Sequence, residues 1–415
     1  MRRHTHALDV PVPEIRLGPN AARVQRIAGG IGVIGLLLCI LAVFINRAEF
    51  FQSYLFALVY WGGFTIGGTG VLLMHHTVGG KWGVTIRRLL EAQVRTLPLL
   101  ALLTIPIFLG LRYLYPWSVH EFVAQTPILR YKAPYLNVPF FIGRAVLYFA
   151  LFIFWGFRNC RLADLQDETG DPTLKERMRA FSAPGVLVFT LAGTWAYIDW
   201  ILSTDIQFFS TIYGAMILIG DILQSIALSI VALVLASRDD RFGGRINPAI
   251  LHDLGNMMFA FVIFWAYLSA SQLIIIWPGN LPQELGWYLD RIQGFWKYLA
   301  AVTALSMFAI PFCLLLSQNR KRHPIRLFRV ALFILFARLI DLFWIIEPTF
   351  RSASHETTPS PLITHRGFAI YWTDFAVFLF VGGIWLYAYL RQLQRRPLLP
   401  LHDERVPEPM AEAVA

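Results

Sequence analysis

Long apolar stretches alternate with short polar ones along the whole chain. Ten of the apolar stretches are about 19 to 25 residues long, the length that an α-helix needs to cross a bilayer. The alternation typical of barrel strands is absent, and backbone exposed to lipid must satisfy its own hydrogen bonds, so the stretches predict helices. The predicted spans are 27–45, 54–74, 97–114, 138–157, 183–203, 212–236, 256–276, 298–317, 327–347 and 369–390. The pattern therefore predicts an all-α polytopic membrane protein with ten transmembrane helices.

Composition agrees with this prediction and excludes other classes of protein. Of the 415 residues, 56% are hydrophobic and 15% are charged, whereas about 25% of the residues of an ordinary soluble domain are charged. A soluble enzyme, a coiled coil and a disordered chain are therefore excluded. The net charge of +10 does not predict a nucleic-acid partner, because the basic residues lie between apolar stretches and not on one face.

The distribution of basic residues predicts the topology. Most of the 36 lysines and arginines lie in the N-terminal tail, in the second, fourth, sixth and eighth loops and in the C-terminal tail. The positive-inside rule then predicts that both termini lie in the cytoplasm. Residues 1–26 and 391–415 are the two cytoplasmic tails, and 27–390 is the transmembrane domain. The tail beyond Pro397 carries Pro and Glu and is predicted to be disordered.

Ionisable residues inside the predicted spans, or at their ends, are the candidate functional residues, because each costs about 2.5–3.5 kcal/mol at the centre of a bilayer. They are Arg144, Asp199, Asp205, Asp221, Arg338, Asp341, Glu347 and Asp374. Two interpretations stay open. The six acids line a path for protons, with Arg144 and Arg338 as their charge partners, or the charges pair structurally, as Arg338 could with Asp341 one helical turn away.

Spacing suggests an internal repeat. Asp199 and Asp205 are six residues apart, and so are Asp341 and Glu347 in a similar setting. The repeat predicts two four-helix bundles, about 54–203 and 212–347, with the first and tenth helices at the periphery.

Histidines and cysteines argue against a cofactor held by this chain. Cys39, Cys160 and Cys313 are far apart, and every histidine lies in a tail, in a loop or at the end of a span. No ligand set for a haem or an iron–sulfur cluster is recognisable, so neither a metal site nor a catalytic residue is predicted. His75 and His76 close the second span, where they either contact lipid headgroups or bind a quinone.

Two local patterns concern packing. The glycines Gly62, Gly63, Gly67, Gly68 and Gly70 predict a face for close helix packing and not a phosphate-binding loop. Residues 82–95 are amphipathic, with Arg87, Arg88, Glu91 and Arg95 on the polar face. This stretch predicts a short helix on the inner membrane surface.

Four motifs in order carry a resemblance to a known family. They are His75 to Gly83 (HHTVGGKWG) with Arg87, Arg88 and Glu91; Ile198 to Ser203 (IDWILS) with Phe209 to Gly214 (FSTIYG); His252 to Asn256 (HDLGN) with Phe264 to Tyr267 (FWAY), Trp277 to Pro282 (WPGNLP) and Trp287-Tyr288; and Arg338 to Asp341 (RLID). The chain resembles the ActF-type membrane subunit of bacterial alternative complex III, within the NrfD or polysulfide-reductase-like family. In one place it departs from the family, since Gln207 stands where a His is frequent.

The resemblance implies an NrfD-like fold and a multi-pass subunit of the bacterial inner (cell) membrane. It implies that this subunit belongs to a quinol:electron-acceptor oxidoreductase, with an acceptor of the cytochrome c type. It implies no redox cofactor in this chain, quinone in the complex, and haem c and iron–sulfur clusters in partner subunits. The implied partners are a sister NrfD-like membrane subunit, a multihaem cytochrome c subunit, an iron–sulfur subunit and small membrane subunits. The implied role is an assembly scaffold with a proton-transfer path. Two alternatives stay open: a membrane anchor that itself oxidises quinol, and a secondary transporter.

Overall fold

The computed structural model describes residues 14–238, 246–351, 367–403 and 405–406, and within these ranges the chain is helical without a β-strand. The long helices are α1 (Pro19–Ile45), α2 (Arg47–Val78), α3 (Lys81–Val94), α4 (Leu97–Leu109), α5 (Val138–Thr169), α6 (Thr173–Trp200), α7 (Ile212–Ala236), α8 (Pro248–Gly279), α9 (Trp296–Ala304), α10 (Pro324–Ile346) and α11 (Trp372–Gln394). Helix α9 continues through a π-helical turn, Leu305–Ala309, into a last segment, Ile310–Leu316.

Shorter helices fill the connections. They are Leu111–Leu114, His120–Gln125, Pro127–Lys132, Pro282–Ile292, Gln318–Arg322 and Pro348–Arg351, with 3-10 turns at Pro116–Ser118 and Leu202–Thr204.

Nine helices of the described residues are long and apolar enough to cross a membrane. The predicted class, a helical membrane protein with several spans, is therefore confirmed. The predicted span 327–347 coincides with α10, which is 23 residues long but is not among the nine. It carries four charged residues, Arg326, Arg329, Arg338 and Asp341, which make it less apolar than its neighbours.

Helix α2 lies at the centre of the structure, where it packs against α3, α4, α6, α7 and α11. Its glycines permit this. A Cβ at Gly67 would lie 2.0 Å from the carbonyl oxygen of Asp221 on α7, and a Cβ at Gly63 would lie 2.7 Å from its carboxylate. The predicted glycine packing face is therefore confirmed, and it brings the backbone of α2 against Asp221, the buried acid of α7.

Helix α7 also packs against α6, α8 and α10, while α5 packs against α6 and α9 against α10. Helices α1 and α11 form a pair that packs against α2, and α11 also packs against α3. Helices α1 and α11 cross closely, because a Cβ at Gly383 would lie 2.6 Å from the Cα of Gly32.

The prediction of a surface helix at 82–95 is wrong. Residues Gly79 and Gly80 adopt positive φ angles of 79° and 107°, which glycine adopts readily, and the chain turns there from α2 into α3. Helix α3 is buried over nearly its whole length, and Arg87 and Arg88 on its polar face are at most 3% exposed. Other protein groups cover the polar face.

The prediction of a disordered C-terminal tail is wrong for the described part of it. Leu398 and Leu399 are buried, and the backbone N–H of Leu398 donates to the carbonyl of Ile15 at 2.8 Å. Asp403 lies 3.5 Å from Arg87. Apolar side chains and one buried carboxylate therefore fix the tail against α3 and the N-terminal segment.

Candidate functional site

The eight ionisable residues predicted to lie at membrane depth fall into three clusters of ion pairs, with one acid apart. The clusters lie toward the end of the structure where α6 and α10 end and α7 and α11 begin. Within the described residues, each acid pairs inside its own cluster, and the ion pairs do not join one cluster to another. The continuous line of acids that a proton path requires is therefore not formed by side-chain contacts alone.

The first cluster joins α5 to α6. Both oxygens of Asp199 accept from Arg144, at 2.7 and 3.0 Å. They also accept from the hydroxyls of Tyr135 and Tyr148, at 3.1 and 2.8 Å. The guanidinium lies 3.8 Å from the centre of the Tyr135 ring, a cation–π contact. Because Asp199 is buried and its charge is paired, its geometry is that of a structural ion pair.

Asp205 belongs to the loop after α6 and not to a charge cluster. Its Oδ1 accepts from the backbone N–H groups of Gln207 and Phe208, both at 2.9 Å. The contact fixes the turn that leads to α7, which is the common role of Asp in such loops.

The second cluster is the central network, which we define as Tyr197 on α6, Asp221 on α7, and Arg338 and Asp341 on α10. Arg338 donates to Asp221 Oδ1 at 3.1 Å and to the carbonyl of Ile217 at 3.0 Å, and it is also bonded to Asp341. The hydroxyl of Tyr197 donates to Asp221. All four side chains are at most 1% exposed. The network therefore places two carboxylates around one guanidinium in the interior of the protein.

The third cluster holds the end of α10 to the beginning of α11. Arg351 forms two parallel hydrogen bonds with Asp374, at 2.8 and 2.7 Å, and its Nε lies 2.9 Å from Glu347. Ser53 on α2 also donates to Asp374. Paired hydrogen bonds of this kind give an Arg–carboxylate contact a fixed geometry, so the cluster anchors three helices at this end.

Several members of these clusters were missed by the sequence prediction, among them Arg351 and the hydroxyl-bearing partners Tyr135, Tyr148 and Tyr197. Arg351 lies beyond the apolar stretch of α10, although its spacing of four residues from Glu347 is a signal that could have found it. Tyr197 carries no such signal, because its partner Asp221 lies on the next helix. Sequence spacing identifies partners on one helix but not partners on another.

The histidine pair lies inside the protein. His75 and His76 are 0% and 8% exposed, and the ring of His75 lies 5.3 Å from that of Trp82. The interpretation that His75 contacts lipid headgroups is therefore wrong, because its side chain is buried. The position of the pair at the end of α2 is as predicted. Neither ring nitrogen of His75 has a hydrogen-bond partner among the described residues.

No protein-family model matches this chain, and no curated protein matches its sequence significantly.

Proposed function

We propose that this chain is an integral membrane subunit of a quinol:electron-acceptor oxidoreductase of the alternative complex III type. Its role would be that of an assembly scaffold that also transfers protons and has no redox cofactor of its own. The observation that carries the proposal is that the motif residues with a family resemblance are also the residues of the buried ion pairs. Asp199, Arg338 and Asp341 each belong to one of the motifs, and each is buried and paired.

The proposal includes ten membrane spans in two bundles, with α10 as the ninth span. Helix α10 supports this because it is long enough to cross a bilayer and its two innermost charges, Arg338 and Asp341, are buried against each other. The helix contacts support the bundles, since α2 to α6 pack together, α7 to α10 pack together, and α1 pairs with α11, while the contact of α2 with α7 joins the two bundles. The proposed orientation, with both termini in the cytoplasm, rests on the charge distribution.

For proton transfer we propose the central network as the essential segment. It links α6, α7 and α10 through hydrogen bonds between a phenol, two carboxylates and a guanidinium. Buried carboxylates are the groups that proton relays in membranes use. Glu347, Asp374, Asp199 and Asp205 lie outside this network, so water would have to connect them to it.

Purification in mild detergent tests the subunit assignment. We expect the tagged chain to co-purify with a c-type haem protein, seen as a Soret band, and with an iron–sulfur protein. A free-standing transporter would purify without haem-bearing partners, and that result would contradict the proposal. A Soret band that remains with the isolated chain would contradict the absence of a cofactor.

Reconstitution in vesicles tests proton transfer. We expect the Asp221→Asn complex to assemble but to move fewer protons per quinol oxidised. Glu121→Gln is the control, because Glu121 is an exposed residue in the short helix His120–Gln125 that precedes α5. Unchanged proton movement in a well-assembled Asp221→Asn complex would exclude the central network from the path.

A further inference from the structure

A groove of about 420 Å³ opens between the last segment of α9, the short helix Gln318–Arg322 and the beginning of α10. Three arginines line it: Arg320 on the short helix, and Arg326 and Arg329 on α10. All three are exposed, and none of them forms an ion pair or a side-chain hydrogen bond with another described residue. The groove therefore presents three positive charges that the described part of the chain does not neutralise.

The sequence around the groove is free of acids. Neither Asp nor Glu occurs between Asp290 and Asp341. At 1.5 Å per residue, Asp341 lies about 18 Å further along α10 than Arg329, and it is paired with Arg338. Asp253 on the neighbouring α8 does not line the groove. An anion for the three arginines must therefore come from elsewhere.

The wall that α10 contributes changes from charged to apolar along the helix. Arg326 and Arg329 are followed by Val330 and Phe333, and all four line the groove. They share one face of α10, because residues three and four apart are neighbours on a helix. This wall therefore has its charges at the beginning of α10 and its apolar side chains further in.

The wall on the side of α9 changes in the same direction. Ile310 and Leu314, one helical turn apart in the last segment of α9, line the groove, and Arg320 follows them on the short helix. Because α9 and α10 pack against each other and are joined by that short helix, the apolar parts of the two walls face each other. The groove as a whole has one charged end and one apolar end.

The groove lies where the chain leaves the membrane. Helix α9 with its continuation is one of the nine candidate spans and ends at Leu316. Leu316 and Ile310 are 64% and 43% exposed, as apolar side chains that face lipid are. Arginines just beyond the end of a span lie at the level of the lipid headgroups. The charged end of the groove is therefore at headgroup level, and its apolar end is at the level of the acyl chains.

The chemistry of the two ends excludes other occupants. A neutral lipid would leave the guanidinium groups without a counter-ion. A zwitterionic lipid would bring its ammonium group against three cations, and within the described residues no carboxylate lines the groove to offset the repulsion. Free phosphate, or an acidic protein segment, would match the charges but not the apolar end. An anionic phospholipid matches both ends.

We propose that this groove binds an anionic phospholipid of the cytoplasmic leaflet. Its phosphate accepts hydrogen bonds from Arg320, Arg326 and Arg329, since guanidinium and phosphate form paired, charge-assisted bonds. One acyl chain lies between the apolar side chains of α9 and α10. Basic pockets between membrane helices on the cytoplasmic side are known to hold anionic headgroups. The site rests on the groove and on the membrane class of the chain, and not on quinol oxidation.

Photolabelling of the full chain, purified with whatever partners it retains and reconstituted in phosphatidylcholine nanodiscs, tests the site. The probe is a phosphatidylglycerol with a photoreactive diazirine in one acyl chain, used below saturation, and labelled peptides are mapped by mass spectrometry. We expect labels near Leu314 on α9 and near Phe333 on α10. Unlabelled phosphatidylglycerol should suppress them about tenfold more strongly than added phosphatidylcholine, because its headgroup has a net negative charge. Inorganic phosphate should not suppress them.

Two double variants with the same change of charge distinguish the groove from general attraction to a basic surface. Each arginine near an anionic lipid contributes about fivefold to affinity, so Arg326→Gln with Arg329→Gln should lower the labelling about twentyfold. Arg158→Gln with Arg161→Gln is the control and should leave it unchanged. These two arginines on α5 have the same spacing and are exposed, but they do not line the groove.

Arg320→Gln tests the opposite wall and should by itself lower the labelling about fivefold. It keeps the proposal testable if the double variant on α10 folds poorly. Equal losses in the two double variants, labels confined to other parts of the chain, or equal suppression by phosphatidylcholine or by inorganic phosphate would each overturn the proposal. Labelling that occurs only after partners are removed would show that a protein covers the groove, and it would also overturn the proposal. Because the measurement involves neither haem nor quinol, failure here is distinct from failure of the proposed function.

Discussion

The guanidinium of Arg338 on α10 lies against the backbone of Gly220 on α7, so closely that a Cβ at residue 220 would stand 2.4 Å from the guanidinium carbon. The neighbouring residue, Asp221, accepts from the same guanidinium at 3.1 Å. The absence of a side chain at position 220 is therefore what lets the charge on α10 reach its counter-ion on α7.

We expect Gly220→Ala to destabilise the protein, because the new methyl group would overlap the guanidinium and separate Arg338 from Asp221. Overpacking of this kind costs about 1–3 kcal/mol. The measurement is the thermal unfolding midpoint of the purified protein in detergent. Gly143→Ala on α5 is the control, since nothing lies within 4 Å of a Cβ there, and it should leave the midpoint unchanged or raise it. Equal midpoints for the two variants would argue against the close contact.

The central network contains two carboxylates and one guanidinium. Because either carboxylate can pair with the guanidinium, we expect the loss of one to cost little stability and the loss of both to cost much more. Asp341→Asn leaves Arg338 paired with Asp221, and Asp221→Asn leaves it paired with Asp341. Each single variant should therefore lose less than about 3 kcal/mol, the upper value for a hydrogen bond to a charged group. The double variant leaves a buried cation without a carboxylate and should lose more than the two single losses together.

Asp199→Asn provides the comparison for this set. Arg144 pairs with one carboxylate among the described residues, so a single substitution already leaves it uncompensated and should cost about 3–5 kcal/mol. Unfolding midpoints of the four variants measure these differences. If Asp341→Asn proved as damaging as the double variant, Asp221 would not be acting as a counter-ion.

Spacing along the chain predicts part of this network and none of its connections between helices. Arg338 and Asp341 are three residues apart, so their contact follows from helix geometry. Asp221 lies more than a hundred residues away, and only the packing of α7 against α10 brings it to Arg338. The cost of a buried charge identified Asp221 as a residue that needs a partner. Which partner it has depends on tertiary contacts that a single sequence does not contain.

Helix α3 shows a second limit of the sequence pattern. Its amphipathic spacing correctly indicates one polar and one apolar face, and it suggested that water and headgroups cover the polar face. In the structure Arg87 donates to Glu91 and Gln166, both at 2.9 Å, and Arg88 pairs with Glu91 and Asp167. An amphipathic pattern specifies that a face must meet polar groups, but it does not specify whether water or protein supplies them.

Asp403 predicts a pH-dependent release of the C-terminal tail. Burial alone would raise the pKa of Asp403, but hydrogen bonds from Arg405 and the charges of Arg405 and Arg87 outweigh it and lower the pKa below its usual value. A carboxyl whose pKa is lower in the folded protein stabilises it above the unfolded pKa of about 3.9. That contribution is lost as the pH falls through the lower folded value. We therefore expect the tail to remain docked at neutral pH and to detach below about pH 4.

Fluorescence anisotropy of a dye on Leu401→Cys, in a background where the exposed Cys313 is Ser, measures this release. Anisotropy should fall in acid as the tail gains freedom. Asp403→Asn should lower it already at neutral pH and remove most of the acid transition. A transition of the same size in Asp403→Asn would assign the pH dependence to other carboxylates, such as Asp167, whose Oδ1 accepts from the backbone of Leu401.

The charges of α10 make the number of spans testable through the position of the two termini. If α10 crosses the membrane with the nine other candidate helices, the chain has ten spans and both termini lie on one side. If α10 does not cross, nine spans place the termini on opposite sides. Because Arg338 and Asp341 are buried and bonded to each other, their charges are shielded from lipid and need not prevent insertion.

We expect green fluorescent protein fused before Met1 or after Ala415 to fluoresce, and alkaline phosphatase at the same positions to be inactive, because both termini are predicted to be cytoplasmic. Alkaline phosphatase fused after Arg351, at the end of the short helix that follows α10, should instead be active, since ten spans place that point outside. Activity after Gln318, which precedes α10, would reverse the predicted orientation of this helix. Activity after Ala415 together with fluorescence at Met1 would show that one of the ten helices, with α10 the first candidate, does not cross.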